Sequence, residues 1–194
     1  MSATNRGTVR KEADFYATPL ETVYALLDNY GDIDPNDLIL EPSAGNGNII
    51  QALRNRGYQN FIEAVELRES ELNNLDKLAS EVSICDFLMD FEATCKYDVI
   101  IGNPPYSLAQ KFIDKSLELL APGGRLIFLL RTNFLESQKR FEWWQDKTPN
   151  GLYVLNKRPS FTGKGTDATS YSWFIWEKSR IVNDFKRFQE IKVI

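Results

Sequence analysis

Between residues 37 and 131 the chain alternates short apolar runs with stretches of helical period, and this narrows the possible folds more than any other feature. "DLILEP" (37–42), "FIEAVE" (61–66), "VSICDF" (82–87), "YDVIIGNPP" (97–105) and "RLIFLLR" (125–131) read as strands, each apolar along most of its length. "NIIQALRNRG", "SELNNLDKLAS" and "LAQKFIDKSLELL" read as helices, the first closed by Gly57 and the third stopped by Pro122-Gly123-Gly124. Upstream, Thr18-Pro19-Leu20-Glu21 has a capping-box pattern and predicts a helix to about Tyr30, closed by Gly31. Downstream, "LESQKRFEWWQDK" predicts a helix, and "LYVLN" and "YSWFIWEK" predict strands. Continuously apolar strands separated by helices imply an α/β fold, a parallel sheet covered on both faces. No helix separates the last two strands, so the final one is expected to run antiparallel. Residues 1–13 read as a loose N-terminal tail, and 14–194 as a single domain.

Composition removes several classes of function. The 194 residues suffice for one well-filled core. No apolar run approaches the roughly 20 residues of a membrane helix, and the N-terminus lacks a signal-type apolar region. There is no histidine, so any catalysis proceeds without imidazole, and the commonest zinc sites are absent. Cys85 and Cys95 lack metal-type spacing and read as free thiols in a reducing cytoplasm; no metal is implied. The net charge of −4 is unevenly spread: residues 1–130 carry −9, whereas 131–164 carry +4. An acidic body with a basic segment is able to meet a polyanion locally.

In open α/β sheets, ligands sit at the carboxyl ends of the strands, near the switch point. The unusual local sequences all fall there. "EPSAGNG" (41–47) lets a ligand approach the backbone closely. It departs from the dinucleotide fingerprint, which would need glycine where Ile50 stands, and from the P-loop, which needs Gly-Lys-Ser/Thr. Glu66 ends the second strand, 19 residues past Gly47, where a ribose-binding acid is expected. Asp86 ends the third, followed by the ring of Phe87. Acids accept hydrogen bonds from ribose hydroxyls or an adenine amino group, and a ring stacks on a base. In that order, they favour an adenosine-containing ligand.

"DFYATP" (14–19), "EPSAGNG", "VE" (65–66), "CDF" (85–87) and "NPPY" (103–106) resemble, in order, the motifs of the S-adenosylmethionine-dependent DNA adenine-N6 methyltransferases. "RPSFTGKGTDATSYSWFIW" is similar to their substrate-side loop and final hairpin, so the likeness spans about residues 14–176. It implies the Rossmann-like class I methyltransferase fold, a mostly parallel seven-stranded sheet with a terminal antiparallel strand and helices on both faces. It also implies S-adenosyl-L-methionine as cofactor. Phe15, Tyr16, Thr18 and Pro19 would border the methionine end, and Glu41, Ala44, Gly45 and Gly47 would form the floor. Glu66 would hold the ribose and Asp86 with Phe87 the adenine, with Asn103 also beside the cofactor. The substrate would be DNA, double-stranded, with the adenine flipped out. Asn-Pro-Pro-Tyr is shared by enzymes acting on RNA adenine and on a protein glutamine amide, so these stand as alternatives, with a non-catalytic cofactor-binding module as a third.

The clamp has a chemical rationale. The lone pair of an exocyclic amino group is delocalised into its ring, which makes it a poor nucleophile. Two acceptors aimed at its N–H groups, the Asn103 side-chain oxygen and the Pro104 carbonyl, would favour a tetrahedral nitrogen. Pro104 and Pro105 fix φ and remove donors, which preorganises the loop. Tyr106 would stack on the base, with Phe161 a candidate for the opposite wall. Arg131, Lys139, Arg140, Lys147, Lys157, Arg158 and Lys164 are candidate phosphate contacts. The 88 residues after Tyr106 leave no room for a separate target-recognition domain, so sequence reading falls to loops within 131–170. That economy resembles small phage or prophage enzymes, with or without a restriction–modification partner nuclease. Trp143 and Trp144 read as core packing or as a homodimer contact.

Overall fold

The computed structural model describes residues 17–161, 167–179 and 190–194. The elements run α1 (Leu20–Leu27), β1 (Ile39–Glu41), α2 (Asn48–Asn55), β2 (Ile62–Glu66), a 3-10 turn leading into the short α3 (Leu72–Leu75), and β3 (Glu81–Ile84). They continue with β4 (Tyr97–Gly102), α4 (Ala109–Leu119), β5 (Leu120–Arg131), two 3-10 turns (Thr132–Leu135, Gln138–Arg140) and α5 (Phe141–Lys147). Three strands complete the sheet: β6 (Gly151–Val154), β7 (Tyr171–Glu177) and β8 (Glu190–Val193). The order is β3-β2-β1-β4-β5-β7-β6-β8. Strands β1 to β5 pair in parallel, β7 runs antiparallel to β5 and β6, and β8 pairs in parallel with β6.

Alternate strand residues feed two cores. Ile39, Val99, Ile101, Ile127, Leu129 and Trp173 pack under α1 and α2, with Leu75 of α3. Leu40, Ile100, Leu126, Phe128, Leu130 and Phe174 pack under α4 and α5. Both faces of the central strands are therefore covered, as continuous apolar runs require. The switch point falls between β1 and β4, which brings the turn after Glu41 beside the turn after Gly102.

The structure corrects several expectations. The "YSWFIWEK" strand, β7, runs antiparallel as expected, but the sheet has eight strands, not seven, and β7 lies inside it with β6 and β8 beyond. "SELNNLDKLAS" forms only a 3-10 turn and one short helix. Pro122-Gly123-Gly124 does not separate helix from strand: β5 begins at Leu120 and passes through it with a register shift opposite Tyr97 and Val99. Gly124 is required there, because a Cβ would lie 2.9 Å from the Tyr97 carbonyl oxygen and 3.1 Å from that of Asp98. The capping box is absent. Pro19 caps α1 with no side-chain hydrogen bond, the helix ends at Leu27, and the Thr18 hydroxyl faces elsewhere. Gly57 does close α2, with φ 87°, by bonds from its own N–H to the Arg54 carbonyl (3.0 Å) and from the Tyr58 N–H to the Leu53 carbonyl (3.1 Å). Trp143 and Trp144 pack α5 inward. The Trp143 indole donates to Asp114 of α4 (2.9 Å), and Trp144 stacks on Phe174.

Candidate active site

A cavity of about 410 Å³ opens at the carboxyl ends of β1 to β4. Its lining brings together Thr18, Glu41, Ala44, Gly45, Glu66, Asp86, Phe87 and the whole of Asn103-Pro104-Pro105-Tyr106. These residues lie up to 88 positions apart in sequence and converge because β1 and β4 are neighbours.

The glycine loop is tied down by acids. Glu66 Oε2 accepts the Gly45 N–H at 2.7 Å, and its Oε1 accepts the Arg68 N–H (3.0 Å) and Nε (2.8 Å). A carboxylate offers roughly four lone-pair directions, so the residue read as the ribose holder is also the clamp between the loop and β2. Asp86 Oδ1 accepts the N–H groups of Leu88 (2.7 Å) and Met89 (3.3 Å), whereas Oδ2 has no bond among the described residues. The Phe87 ring is nearly buried against Phe112 (5.0 Å) and Phe91 (5.8 Å). Lys115 of α4 secures this segment by donating to the Phe87 and Phe91 carbonyls, at 2.5 and 2.8 Å.

Glu41 lies on the cavity floor, 1% exposed. Burial, and secondarily the charge of Glu66, pushes its carboxyl well above the usual carboxylate range. Its Oε2 and the Ser43 hydroxyl are buried without a hydrogen-bond partner among the described residues, two orphaned polar atoms on a ligand-sized cavity.

In the clamp, Asn103 Nδ2 donates to Thr18 Oγ1 at 3.0 Å, and Asn48 Nδ2 holds the Thr18 carbonyl at 2.8 Å. Anchoring the nitrogen turns the amide oxygen the other way. The Pro105 carbonyl accepts from Leu108 (2.9 Å) and that of Tyr106 from Ala109 (3.5 Å), both to start α4. The Pro104 carbonyl accepts no bond from the described residues. Tyr106 packs on Tyr171 (centroids 5.7 Å apart), with the Arg131 guanidinium 5.1 Å over its ring. Burial, then Tyr171, pushes its phenol well above the usual tyrosine range, so it stays neutral.

Not every expected residue lines this cavity. Pro19 caps α1. Gly47 adopts φ 81° and packs under Leu75 and Leu78. Arg131 and Arg140 line a second cavity together with Tyr106. Phe161 packs on Tyr171 at 5.0 Å, one ring removed from Tyr106. Lys139 and Arg158 are exposed and line neither cavity. Phe15, Tyr16 and Lys164 lie outside the described residues. Three basic groups of the 131–164 segment have internal partners: Lys147 pairs with Asp114 (2.8 Å), Arg140 bonds the Phe134 carbonyl, and Arg131 lies on Tyr106. The sequence reading missed Asn48, Arg68, Lys115 and Tyr171. The Tyr171 hydroxyl donates to Asp167 (2.8 Å) and accepts from Arg131 (3.4 Å). No helix among the described residues is long and apolar enough to cross a membrane, and no metal-type cluster of ligands occurs among them.

Sheet order, switch point and cavity define the class I S-adenosylmethionine-dependent methyltransferase fold. A solved structure of that class, from Listeria monocytogenes, superposes with a TM-score of 0.64 at 18% identity, covering 89% of this chain and 62% of the other. Among curated proteins, the chain is 34% identical over 99 residues to the type II methyltransferase M.CvrRI of Paramecium bursaria Chlorella virus XZ-6E, covering 50% of this chain but only 25% of that protein. It is 26% identical over 220 residues to the tRNA1(Val) (adenine(37)-N6)-methyltransferase of Glaesserella parasuis serovar 5 (strain SH0165), covering 92% of this chain and 91% of the other. No protein-family model matches. S-adenosylmethionine is the cofactor of the fold, and the residues present fit it. Glu66 and Asp86 against the single Arg68 leave the lining acidic and suited to a cationic ligand, and the orphaned polar atoms of Glu41 and Ser43 await polar partners.

Proposed function

We propose that this protein is a cytoplasmic methyltransferase that methylates the exocyclic N6 amino group of an adenine flipped out of DNA, as small phage or prophage enzymes do. The observation that carries this is the clamp: an Asn103 amide whose nitrogen is held by Thr18, beside a Pro104 carbonyl that accepts no bond from the described residues, on the wall of the cofactor cavity. When bound, S-adenosylmethionine would supply an electrophilic methyl group on a sulfonium sulfur that can depart as a neutral thioether. Asn103 Oδ1 and the Pro104 carbonyl accept the two amino hydrogens and stabilise the pyramidal nitrogen; one proton then passes to water. Two fixed dipoles of this kind are worth several kcal/mol to a transition state, since losing one donor of an oxyanion hole costs about 3–4 kcal/mol. Glu41, Ser43 and Gly45 would position the methionine end and the floor, Glu66 the ribose, and Asp86 the adenine amino group, while Thr18 would border the methionine end and orient Asn103. Tyr106 would stack on the flipped base, offsetting about 1–3 kcal/mol of the cost of extrusion.

The tRNA-modifying relative, matched along nearly its whole length, favours RNA adenine as the second reading. Incubation with labelled S-adenosylmethionine and, separately, duplex DNA, RNA and protein extract separates these. Label in N6-methyladenine from DNA is expected. Label found only in RNA or only in protein refutes the DNA reading. Asn103→Ala should abolish turnover while cofactor affinity changes little, and unchanged methylation would remove Asn103 from the mechanism.

A further inference from the structure

Tyr106 is shared by two cavities. The second, about 280 Å³, is lined by Tyr106, Ala109, Leu130, Arg131, Asn133, Phe134, Glu136 and Arg140. It lies at the carboxyl end of β5, adjacent in the sheet to β4, whose end carries Asn103. One tyrosine ring therefore stands between the clamp and this second space.

We propose that the second cavity takes the nucleobase next to the target adenine in the same strand and reads its edge with Asn133 and Glu136. This rests on the nucleic-acid reading above. Its walls are flat and π-rich. Arg131 lies 5.1 Å over Tyr106, and Arg140 lies 4.2 Å over Phe134. Arg140 is locked there by bonds from Nε (3.2 Å) and Nη2 (2.7 Å) to the Phe134 carbonyl. Aromatic rings and guanidinium planes are the surfaces on which unstacked bases lie.

The edge is set by the 3-10 turn Thr132–Leu135. The Glu136 N–H bonds the Asn133 carbonyl at 3.0 Å and closes the turn, and the Asn133 amide and the Glu136 carboxylate both belong to the cavity lining. Neither side chain makes a hydrogen bond among the described residues. Asparagine pairs with the amino and N7 edge of adenine, and glutamate accepts from the amino group of cytosine. The carboxylate also selects among occupants. A phosphate would satisfy the two guanidiniums but meet Glu136 as a like charge, and an alkyl side chain would strand both polar groups, whereas a heterocycle with mixed donors and acceptors satisfies them. DNA and RNA bases share this chemistry.

The test uses the whole protein with oligonucleotides of DNA and, separately, RNA, in which the positions on either side of adenine are randomised. Methylated products are sequenced, and kcat/KM is then measured for the preferred neighbour and for an abasic residue in its place. A preference at one neighbouring position is expected, with the matched substrate roughly tenfold better than the abasic one, as for one good edge contact. Glu136→Gln and Asn133→Ala should each collapse or redirect that ratio. If nucleic acid is methylated and both variants keep the wild-type neighbour preference, the second cavity does not read a base. Absence of methylation on every nucleic acid refutes the underlying function as well.

Discussion

Replacing Thr18 with valine should slow the chemical step rather than weaken cofactor binding. Valine keeps the β-branched shape and the backbone carbonyl held by Asn48 (2.8 Å), so the entry to α1 stays in place. It removes only the acceptor of the 3.0 Å bond from Asn103 Nδ2. Without that bond, the amide loses one of the contacts that bias its orientation, and its NH₂ turns more readily toward the substrate amino group, where a donor faces donors. A neutral hydrogen bond contributes about 0.5–1.5 kcal/mol net, and a part-buried donor left unmatched costs about 1–3 kcal/mol. Taking about 1.4 kcal/mol as the bias lost, kcat falls roughly tenfold. Single-turnover kinetics with saturating cofactor measure this, and equilibrium titration should show affinity for S-adenosylmethionine within about threefold of wild type. Thr18→Ser, which restores the hydroxyl, should recover most of the rate. If the valine variant turns over within twofold of wild type, or serine is as slow as valine, Thr18 does not orient Asn103.

Two further outcomes follow from packing and charge. In Gly47→Ala the new Cβ would fall 2.8 Å from Leu78 Cδ1 at φ 81°, so roughly 2 kcal/mol is lost and Tm drops by about 4–8 °C; a drop under 2 °C in differential scanning calorimetry refutes this. The raised pKa of Glu41 means that the folded state holds a proton the unfolded chain releases above pH of about 4.3. Its stability contribution is thus complete below that pH and declines as pH rises toward the folded pKa. Glu41→Gln should flatten the fall in Tm between pH 5 and 8, and an unchanged slope would show that Glu41 is not the group responsible.

Features carried by continuous local patterns were legible in the sequence. The five apolar strands, two of them stopped abruptly by proline, placed the site at their carboxyl ends, where the cavity lies. The order of motifs brought Glu41, Glu66, Asp86 and Asn103 to one cavity. Local patterns misled where a distant partner overrode them: Thr18 reads as a helix cap from its neighbours, but it bonds Asn103, 85 residues away. Asn48 and Lys115 act by bonding backbone carbonyls across the fold and Arg68 by pairing with the nearby Glu66 and Glu71, and polar side chains leave no periodic trace of such partners. Strand β8 is four residues long, with Ile191 and Val193 exposed, so burial printed little pattern on it. The position of β7 between β5 and β6 follows from a chain return that single-strand hydropathy does not encode.

Trp173 of β7 donates its indole N–H to the Thr22 carbonyl of α1, across 151 residues. Helix α1 follows directly on Thr18, so the segment that orients Asn103 is moored to the far end of the chain. On a ribosome, the glycine loop and the Asn-Pro-Pro-Tyr turn emerge well before β7 exists to seat α1. Such long-range contacts form late and set the pace of folding. The nascent chain therefore acquires its cofactor pocket in outline early, but gains the anchor of the segment that orients Asn103 only once β7 has paired.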